Sequence, residues 1–288
     1  MTGTEGTGSA ATDPGPLERL LTLAARRLSG DYRVDEFGFD AELTEQLTFP
    51  ALRPLYRKWF RVEVSGMDNV PTDSAALLVG NHSGTIAVDA LMVQLALFDE
   101  HPAHRHLRLL AADFVFKAPL LGEYARKTGA TLASNADAER LLESGELVAV
   151  FPEGVKGVGK SVWDRYRLQR FGRGGFVSTA LRTGTPIIPV SIVGAEEIYP
   201  MIGNIPVLAR LLGLPYFPVT PTFPLLGPLG AVPLPSKWMI DFGEPIDTGD
   251  LAGLADDPLE VFNLADKVKE TIQATLHRML ELRGGAFG

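Results

Sequence analysis

Cysteine is absent from the 288 residues of the sequence. This absence excludes a disulfide framework, a zinc or iron–sulfur site with cysteine ligands, and a cysteine nucleophile. A chain of this length buries most of its apolar surface on folding, so its stability does not require a disulfide or a metal ion. The lack of cysteine is also consistent with a protein of the reducing cytosol.

An excess of positive charge is lacking as well. The net charge is −8 at pH 7 and the isoelectric point is about 5.2. Binding to nucleic acid is accompanied by a basic surface. We therefore expect no nucleic-acid partner.

Long apolar runs suited to a membrane-spanning helix are also missing. The longest uncharged run, Leu211–Pro235, contains seven prolines, which would break a helix repeatedly. This run is either an extended segment that contacts lipid or an acyl chain, or a segment that packs against the rest of the fold. Residues 1–15 lack a basic stretch followed by an apolar one, so we expect a disordered tail and no secretory signal there.

The N-terminal quarter of the sequence has two notable segments. Pro16–Leu28 has apolar residues at helical spacing, which predicts a helix. Arg53–Arg61 mixes four cations with Tyr56, Trp59 and Phe60, a composition typical of a helix on a membrane surface. Ordinary packing is the alternative. We expect residues 16–61 to form a helical, membrane-proximal segment and residues 62–288 to form one further domain.

Short β-rich runs then alternate with helical ones. The predicted strands are Val62–Ser65, Ala76–Gly80, Leu107–Ala111, Ala130–Ala133, Leu147–Phe151, Ile187–Val193 and Trp238–Phe242. The predicted helices are Ile86–Leu97, Pro119–Thr128, Asp137–Ser144, Gly175–Arg182 and a long last helix from Pro258, with Asp257 as its N-cap. This alternation predicts an α/β fold with a layered, mostly parallel sheet and helices on both faces. Pro189 predicts that its strand lies at an edge or contains a bulge.

Two predicted strands end in residues suited to chemistry. Asn81 and His82 directly follow the run ALLVG, and Glu153 follows LVAV in the sequence FPEG. α/β sheets form their sites at the carboxyl ends of strands. A histidine there can act as a general base near neutral pH, and Asp89 could orient its ring. A structural histidine and a surface-turn glutamate are the alternatives.

A competing motif overlaps the second strand end. Gly154–Ser161 reads GVKGVGKS and matches the P-loop pattern, in which Lys160 would reach phosphates and Ser161 would bind Mg²⁺. This motif makes a P-loop NTPase an alternative from another functional class.

The stretch from Lys156 to Arg173 contains six basic residues and one acid. Such a concentration favours an anionic partner: the phosphates of CoA, a lipid phosphate or anionic headgroups. A solvated basic loop is the alternative.

Taken together, these segments resemble the glycerolipid acyltransferase family, the lysophosphatidate and lysophospholipid acyltransferase superfamily. Four blocks carry the resemblance in the family's order: NHSGTIAVD, GATLASN, FPEGVKG and PIIPVSIVG. The resemblance extends from Val62 to Phe242, and it implies the fold of a glycerol-phosphate acyltransferase. It makes residues 62–288 the catalytic domain.

The resemblance also implies an activity. It indicates an O-acyltransferase of phospholipid biosynthesis, peripheral on the cytoplasmic face of the cell membrane, with acyl-CoA or an acyl-carrier protein as co-substrate and a lipid acceptor. No cofactor or metal is expected beyond that donor. The implied catalytic residues are His82 and Asp89. The residues expected to bind substrate are Asn81, Ser83, Gly84, Glu153, Gly154, Lys156, Lys160 and Arg173.

The sequence departs from the family pattern at three positions. The family's aspartate stands five residues after the histidine, where this chain has Ala87. Asp89 can reach His82 if the loop bulges, whereas one continuous helix would separate the two by about 10 Å along its axis. A non-catalytic lipid-binding protein is therefore a further alternative.

The other two departures concern arginines that the family associates with the acceptor's phosphate. They are replaced by Asn135 and Lys156. Lysine keeps the positive charge but loses the bidentate fork of arginine, and asparagine loses the charge altogether. These replacements leave a neutral, diacylglycerol-like acceptor open.

Overall fold

The structure is a computed structural model that describes residues 15–83, 85–118, 120–172 and 174–287. The tail expected for residues 1–15 lies outside the described residues, apart from Gly15.

A seven-stranded sheet forms the centre of the fold, in the order β1-β9-β6-β2-β5-β3-β4. Two further strands, β7 and β8, form a separate hairpin. The strands are β1 (Glu63–Ser65), β2 (Ala76–Gly80), β3 (Leu107–Ala111), β4 (Ala130–Leu132), β5 (Leu147–Val150), β6 (Ile187–Val193), β7 (Gly203–Asn204), β8 (Pro218–Val219) and β9 (Met239–Phe242).

Five neighbouring strands of the large sheet are parallel: β6, β2, β5, β3 and β4. β9 pairs antiparallel with β6, and β1 pairs parallel with β9. The predicted α/β fold with a mostly parallel sheet is therefore confirmed. The direction of β1 and β9, which is opposite to that of the other five strands, is not visible in the sequence.

Helices cover both faces of this sheet. They are α1 (Pro16–Ser29), α2 (Ala41–Leu43), α3 (Phe49–Pro54), α4 (Val88–Glu100), α5 (Asp113–Lys117), α6 (Leu121–Lys127), α7 (Asn135–Glu143), α8 (Val155–Val158), α9 (Gly175–Thr183), α10 (Pro206–Leu211) and α11 (Pro258–Arg283). Side chains of β2 alternate between the two faces. Leu78 packs in the core beneath α4, and Leu77 and Val79 pack in the core beneath α9 and α11.

Pro189 lies in a central strand, so the prediction of an edge strand is wrong. β6 pairs with β2 on one side and with β9 on the other. The carbonyl of Pro189 accepts a hydrogen bond from Gly243, on the side that faces β9. The N–H that proline lacks would point to that same side, beyond the last β6–β9 pair, Val190 with Phe242. The proline therefore interrupts only the end of one ladder.

The helical segment 41–59 packs into the protein core. α2 and α3 are joined and extended by π-helical turns at Thr44–Thr48 and Leu55–Trp59. Tyr56 and Phe60 are buried in the same cluster as Trp238, and Arg53 and Arg57 form ion pairs with Asp99. Tyr56 and Phe60 thus pack in the core, whereas Arg57, Lys58 and Trp59 of the same run are exposed. A position of this run on a membrane surface stays a prediction.

Within the described ranges, no helix combines the length and the apolar character that crossing a bilayer requires.

Candidate active site

His82 and Asp89 form a contact pair just beyond the carboxyl end of β2. The ring Nδ1 of His82 lies 2.8 Å from Oδ2 of Asp89. The Asp89 side chain is fully buried, whereas that of His82 keeps 14% of its surface exposed. The shifted aspartate thus reaches the histidine, which removes the reason for the non-catalytic interpretation.

The loop before α4 makes this contact possible. The helix begins at Val88, two residues later than predicted, and Thr85 has a positive φ of 64°. The chain therefore bulges before the helix, and Asp89 lies in its first turn. Its carboxylate also accepts hydrogen bonds from the backbone N–H groups of Ser83 and Ala90. These donors hold the carboxylate toward the imidazole.

The contact determines which nitrogen of the His82 ring is available for chemistry. An ionised carboxylate only accepts hydrogen bonds, so the Nδ1 that faces it carries the hydrogen and donates, and Nε2 carries the lone pair. The ring stacks on Phe151, with 4.8 Å between ring centroids. Nε2 has no hydrogen-bond partner among the described residues. This is the arrangement that a general base requires.

Glu153 holds the backbone beside the histidine. Its Oε1 accepts from the N–H of His82 at 3.0 Å, and its Oε2 accepts from the N–H of Gln169 at 2.6 Å. The side chain is fully buried, so the surface-turn interpretation is wrong. The geometry gives Glu153 a positioning contact with the backbone of His82, and its expected contact with substrate stays a prediction. Gly154, which follows it, has a φ of +54°, a conformation that favours glycine.

Asn81 has a comparable structural contact. Its amide donates to the carbonyl of Ile192 at 3.0 Å and accepts from the N–H of Ile192 at 2.7 Å. The amide thus continues the pairing of β2 with β6 past the strand end. The side chain is fully buried, and the expected contact of Asn81 with substrate stays a prediction.

Gly157 was not singled out from the sequence, although it lies in a glycine-rich stretch. α8 packs so closely beneath the histidine that a Cβ at Gly157 would lie 2.6 Å from the carbonyl oxygen of His82. This distance is far below a normal van der Waals contact. The glycine therefore allows α8 to approach the loop of His82.

Lys160 lies in a buried cluster of charges. Its ammonium is 3.0 Å from Oε1 of Glu196 and 3.4 Å from Oε2 of Glu153. Only 3% of its side-chain surface is exposed. These two ion pairs hold the ammonium inside the protein, and the expected contact of Lys160 with a substrate stays a prediction.

The P-loop interpretation is wrong. A P-loop places a helix directly after its Lys-Ser pair, whereas Lys160 and Ser161 are followed by the three-residue 3₁₀ turn Val162–Asp164. The Ser161 hydroxyl caps that turn by accepting from the N–H of Trp163. Neither side chain is arranged to bind a nucleotide.

Two buried carboxylates share the single ammonium of Lys160. Burial, together with the neighbouring charge of Glu153, raises the pKa of Glu196 to about 7, although the positive charge of Lys160 opposes this rise. Glu196 also accepts from the N–H of Tyr166 at 2.8 Å. The cluster thus contains a carboxyl group that titrates near neutral pH.

The remaining expected residues have different surroundings. Ser83 is buried, and its hydroxyl has no hydrogen-bond partner within the described part of the chain. Lys156 is exposed. Gly84 and Arg173 lie outside the described residues. Of the basic run, Arg165, Arg167 and Arg170 are exposed.

Tyr216 comes to the site from the proline-rich run, and sequence reasoning missed it. Its hydroxyl donates to the carbonyl of Thr85 in the loop before α4. Burial, together with the negative charge of Asp89, raises the pKa of this phenol to about 12. Nothing in the sequence pattern distinguishes this tyrosine, because its partner is 131 residues away.

An apolar pocket of about 190 Å³ lies between the loop of His82 and the proline-rich run. It is lined by Thr85, Ile86, Tyr199, Leu214, Phe217, Pro218, Thr220, Phe223, Gly230 and Ala231. The pocket provides an apolar cavity close to the loop of His82. In the described ranges, no group of three or more His, Asp or Glu side chains is arranged to hold a metal ion.

This geometry agrees with the comparison to known proteins. Residues 61–193 match the model of the acyltransferase family. The chain belongs to this family, and it is an acyltransferase.

Its individual relatives differ widely in similarity. An uncharacterised protein of Mycobacterium tuberculosis is 59% identical over 286 residues, which cover 98% of this chain and 80% of that protein. The human DGAT1/2-independent enzyme synthesizing storage lipids is 26% identical over 226 residues, 78% of this chain and 64% of that enzyme.

One solved structure shares the fold. The 1-acyl-sn-glycerophosphate (LPA) acyltransferase PlsC from Thermotoga maritima superposes with a TM-score of 0.52 and 18% identity, covering 91% of this chain and 94% of that chain.

Proposed function

We propose that this acyltransferase moves a fatty acyl group from an acyl thioester, acyl-CoA, to a hydroxyl group of a glycerolipid or lysophospholipid. The observation that carries the proposal is the 2.8 Å contact between Nδ1 of His82 and Asp89, with the ring partly exposed. The family membership, the name of the human enzyme and that of the Thermotoga acyltransferase support a lipid acceptor.

In the proposed mechanism, Nε2 of His82 removes the proton from the acceptor hydroxyl as its oxygen attacks the thioester carbonyl. Asp89 holds the ring in the required tautomer and stabilises the imidazolium. The tetrahedral intermediate then collapses, the C–S bond breaks, and the leaving sulfur takes the proton from His82. An ester and a free thiol result. Such general-base assistance contributes roughly 10²–10⁴-fold to the rate.

A neutral, diacylglycerol-like acceptor is the second candidate. Asn135, at the start of α7, stands in place of one family arginine and carries no charge to bind a phosphate. Lys156, in place of the other, is exposed and lacks the bidentate fork. Fewer phosphate-binding groups favour an acceptor that has no phosphate.

The test is release of free thiol from a long-chain acyl-CoA, with and without lysophospholipids or diacylglycerol. The chain has no cysteine, so the protein adds no thiol background. We expect release that depends on one class of acceptor, with the ester product identified by mass spectrometry. His82→Ala should abolish it, whereas His277→Ala, at an exposed histidine of α11, should not. Release that is independent of any acceptor would indicate hydrolysis and contradict the proposal.

A further inference from the structure

The segment 202–232, here called the covering segment, exposes an unusual amount of apolar surface. Nine of its large apolar side chains are exposed: Ile202, Val207, Leu211, Leu212, Leu214, Leu225, Leu226, Leu229 and Val232. Its single charged residue is Arg210. Isolated exposed apolar residues are ordinary, but a concentration of them indicates an interaction surface.

The backbone of the covering segment is held in place. β7 and β8 pair antiparallel, and the side chain of Asn204 accepts from the N–H of Phe217 at 2.9 Å. α10 begins at Pro206 and ends at Leu211. The exposed leucines therefore project from a structured surface.

This surface adjoins the candidate active site. Tyr216 joins the covering segment to the loop of His82 through its hydrogen bond to Thr85. Two parts of the covering segment border the same pocket. Leu214 lines it from the part that follows α10, and Gly230 and Ala231 line it from the part near the segment's end. The pocket also contacts Ile86. An apolar chain that leaves a lipid layer at this surface would therefore pass directly to the loop that carries the histidine.

The charges around the covering segment favour a bilayer as the occupant. The N–H of Val162 donates to the carbonyl of Met201, so the basic run lies beside the segment. This run exposes Trp163, at 81%, and four cations: Lys156, Arg165, Arg167 and Arg170. Apolar side chains flanked by tryptophan and cations match the interior, interface and anionic headgroups of a membrane. A second copy of the chain would leave these cations without acidic counterparts in the covering segment.

We propose that the covering segment is the surface through which the enzyme binds a lipid bilayer, peripherally, with its exposed leucines inserted among the acyl chains. The proposal rests on the proposed function for its biological purpose, since it brings a lipid substrate to His82. The physical interaction itself does not require catalysis.

The test is co-sedimentation of the full chain with vesicles of phosphatidylcholine and phosphatidylglycerol. The variant combines Leu211→Ser and Leu225→Ser, and its control combines Leu259→Ser and Leu282→Ser, at similarly exposed positions of α11. We expect the partition coefficient onto vesicles to fall about 100-fold or more in the first variant, because two apolar side chains no longer enter the lipid. The control should bind as the wild type does. Thermal unfolding checks that both variants are folded.

Three outcomes would overturn the proposal. The wild type could fail to bind vesicles, both double variants could lose binding equally, or the Leu211/Leu225 variant could change only the oligomeric state, which would identify an interface between copies. His82→Ala should bind vesicles as the wild type does. This variant therefore separates membrane binding from the proposed function. If the wild type transfers no acyl group but the covering-segment variant alone loses vesicle binding, the membrane surface stands and the proposed chemistry fails.

Discussion

The carboxyl end of the sheet around His82 buries polar groups, whereas the adjoining covering segment exposes apolar ones. At the carboxyl end of the sheet, Asp89, Glu153 and Lys160 are buried, and each has charged or hydrogen-bonding partners. The covering segment has one charge and exposes its leucines. The difference indicates that the sheet fixes the positions of its polar side chains, whereas the covering segment presents an apolar surface. In our proposals, substrate and membrane contact that surface. Substitutions in the two regions should therefore have different consequences.

The largest expected effect is on the rate, at the residue that orients the histidine. Asp89→Asn should lower the turnover number between about tenfold and 10⁴-fold, because an amide can donate to Nδ1 and favour the wrong tautomer. Steady-state kinetics with acyl-CoA measure this loss. Asp68→Asn, at an exposed aspartate, should leave the rate unchanged. Equal rates for Asp89→Asn and the wild type would show that Asp89 does not orient the ring.

The next effect is on stability, and it compares two lysines of the same basic run. Lys160→Met should lower the free energy of unfolding by about 3–5 kcal/mol, because it leaves Glu153 and Glu196 buried without their cation. Lys156→Met should change it by less than about 0.5 kcal/mol, as is usual for an exposed side chain. Unfolding in urea measures both. Similar losses in the two variants would contradict the buried cluster.

A third prediction concerns the dependence of stability on pH. The pKa of Glu196 is raised from 4.5 to about 7, so the folded state binds a proton that the unfolded state releases. The corresponding stability is fully present below pH 4.5 and is lost as the pH rises through about 7. Glu196→Gln has no such loss. Its stability relative to the wild type should therefore increase across this window by about 3 kcal/mol.

Urea unfolding of both proteins at a series of pH values checks the prediction. The difference between the two curves isolates Glu196 from the other titrating groups. Parallel curves would show that Glu196 has an ordinary pKa.

The smallest effect compares two glycines, one in each region. Gly157→Ala places a methyl group 2.6 Å from the carbonyl oxygen of His82 and should destabilise the protein by about 1–3 kcal/mol through overpacking. It should also lower the turnover number, because His82 must move. At Gly203, in β7, a methyl group would meet only an ordinary contact, at 3.6 Å from Val219. Gly203→Ala should change neither the stability nor the turnover number. An equal loss of stability in both variants would contradict the close approach of α8 to His82.

Much of the fold could be predicted because it depends on local pattern. Strands β2, β3 and β6 have the predicted bounds. Asp257 caps α11 as predicted, accepting from the N–H groups of Leu259 and Glu260. Apolar runs, helix caps and helix-ending residues are local signals that involve positions only a few residues apart. They can therefore be recognised in a single sequence.

The candidate site was predicted less completely. The sequence identifies His82, Asp89 and Glu153 as polar residues near strand ends, but it does not show that the loop before α4 bulges. It also does not show that the side chains of Glu153 and Lys160 contact other parts of the protein. The missing information is the identity of each partner, which comes from a distant part of the chain.

By itself, the sequence determined the α/β class, the order of the elements and the family, because these follow from local periodicity and from motifs in a recognisable order. Only the tertiary structure decided which charges are buried and which apolar groups stay exposed. Lys156 and Lys160 stand four positions apart in the same run, and Lys160 is buried because Glu196, 36 residues away, lies against it. Burying a charge is favourable only where a partner compensates its lost hydration, and the fold alone places that partner.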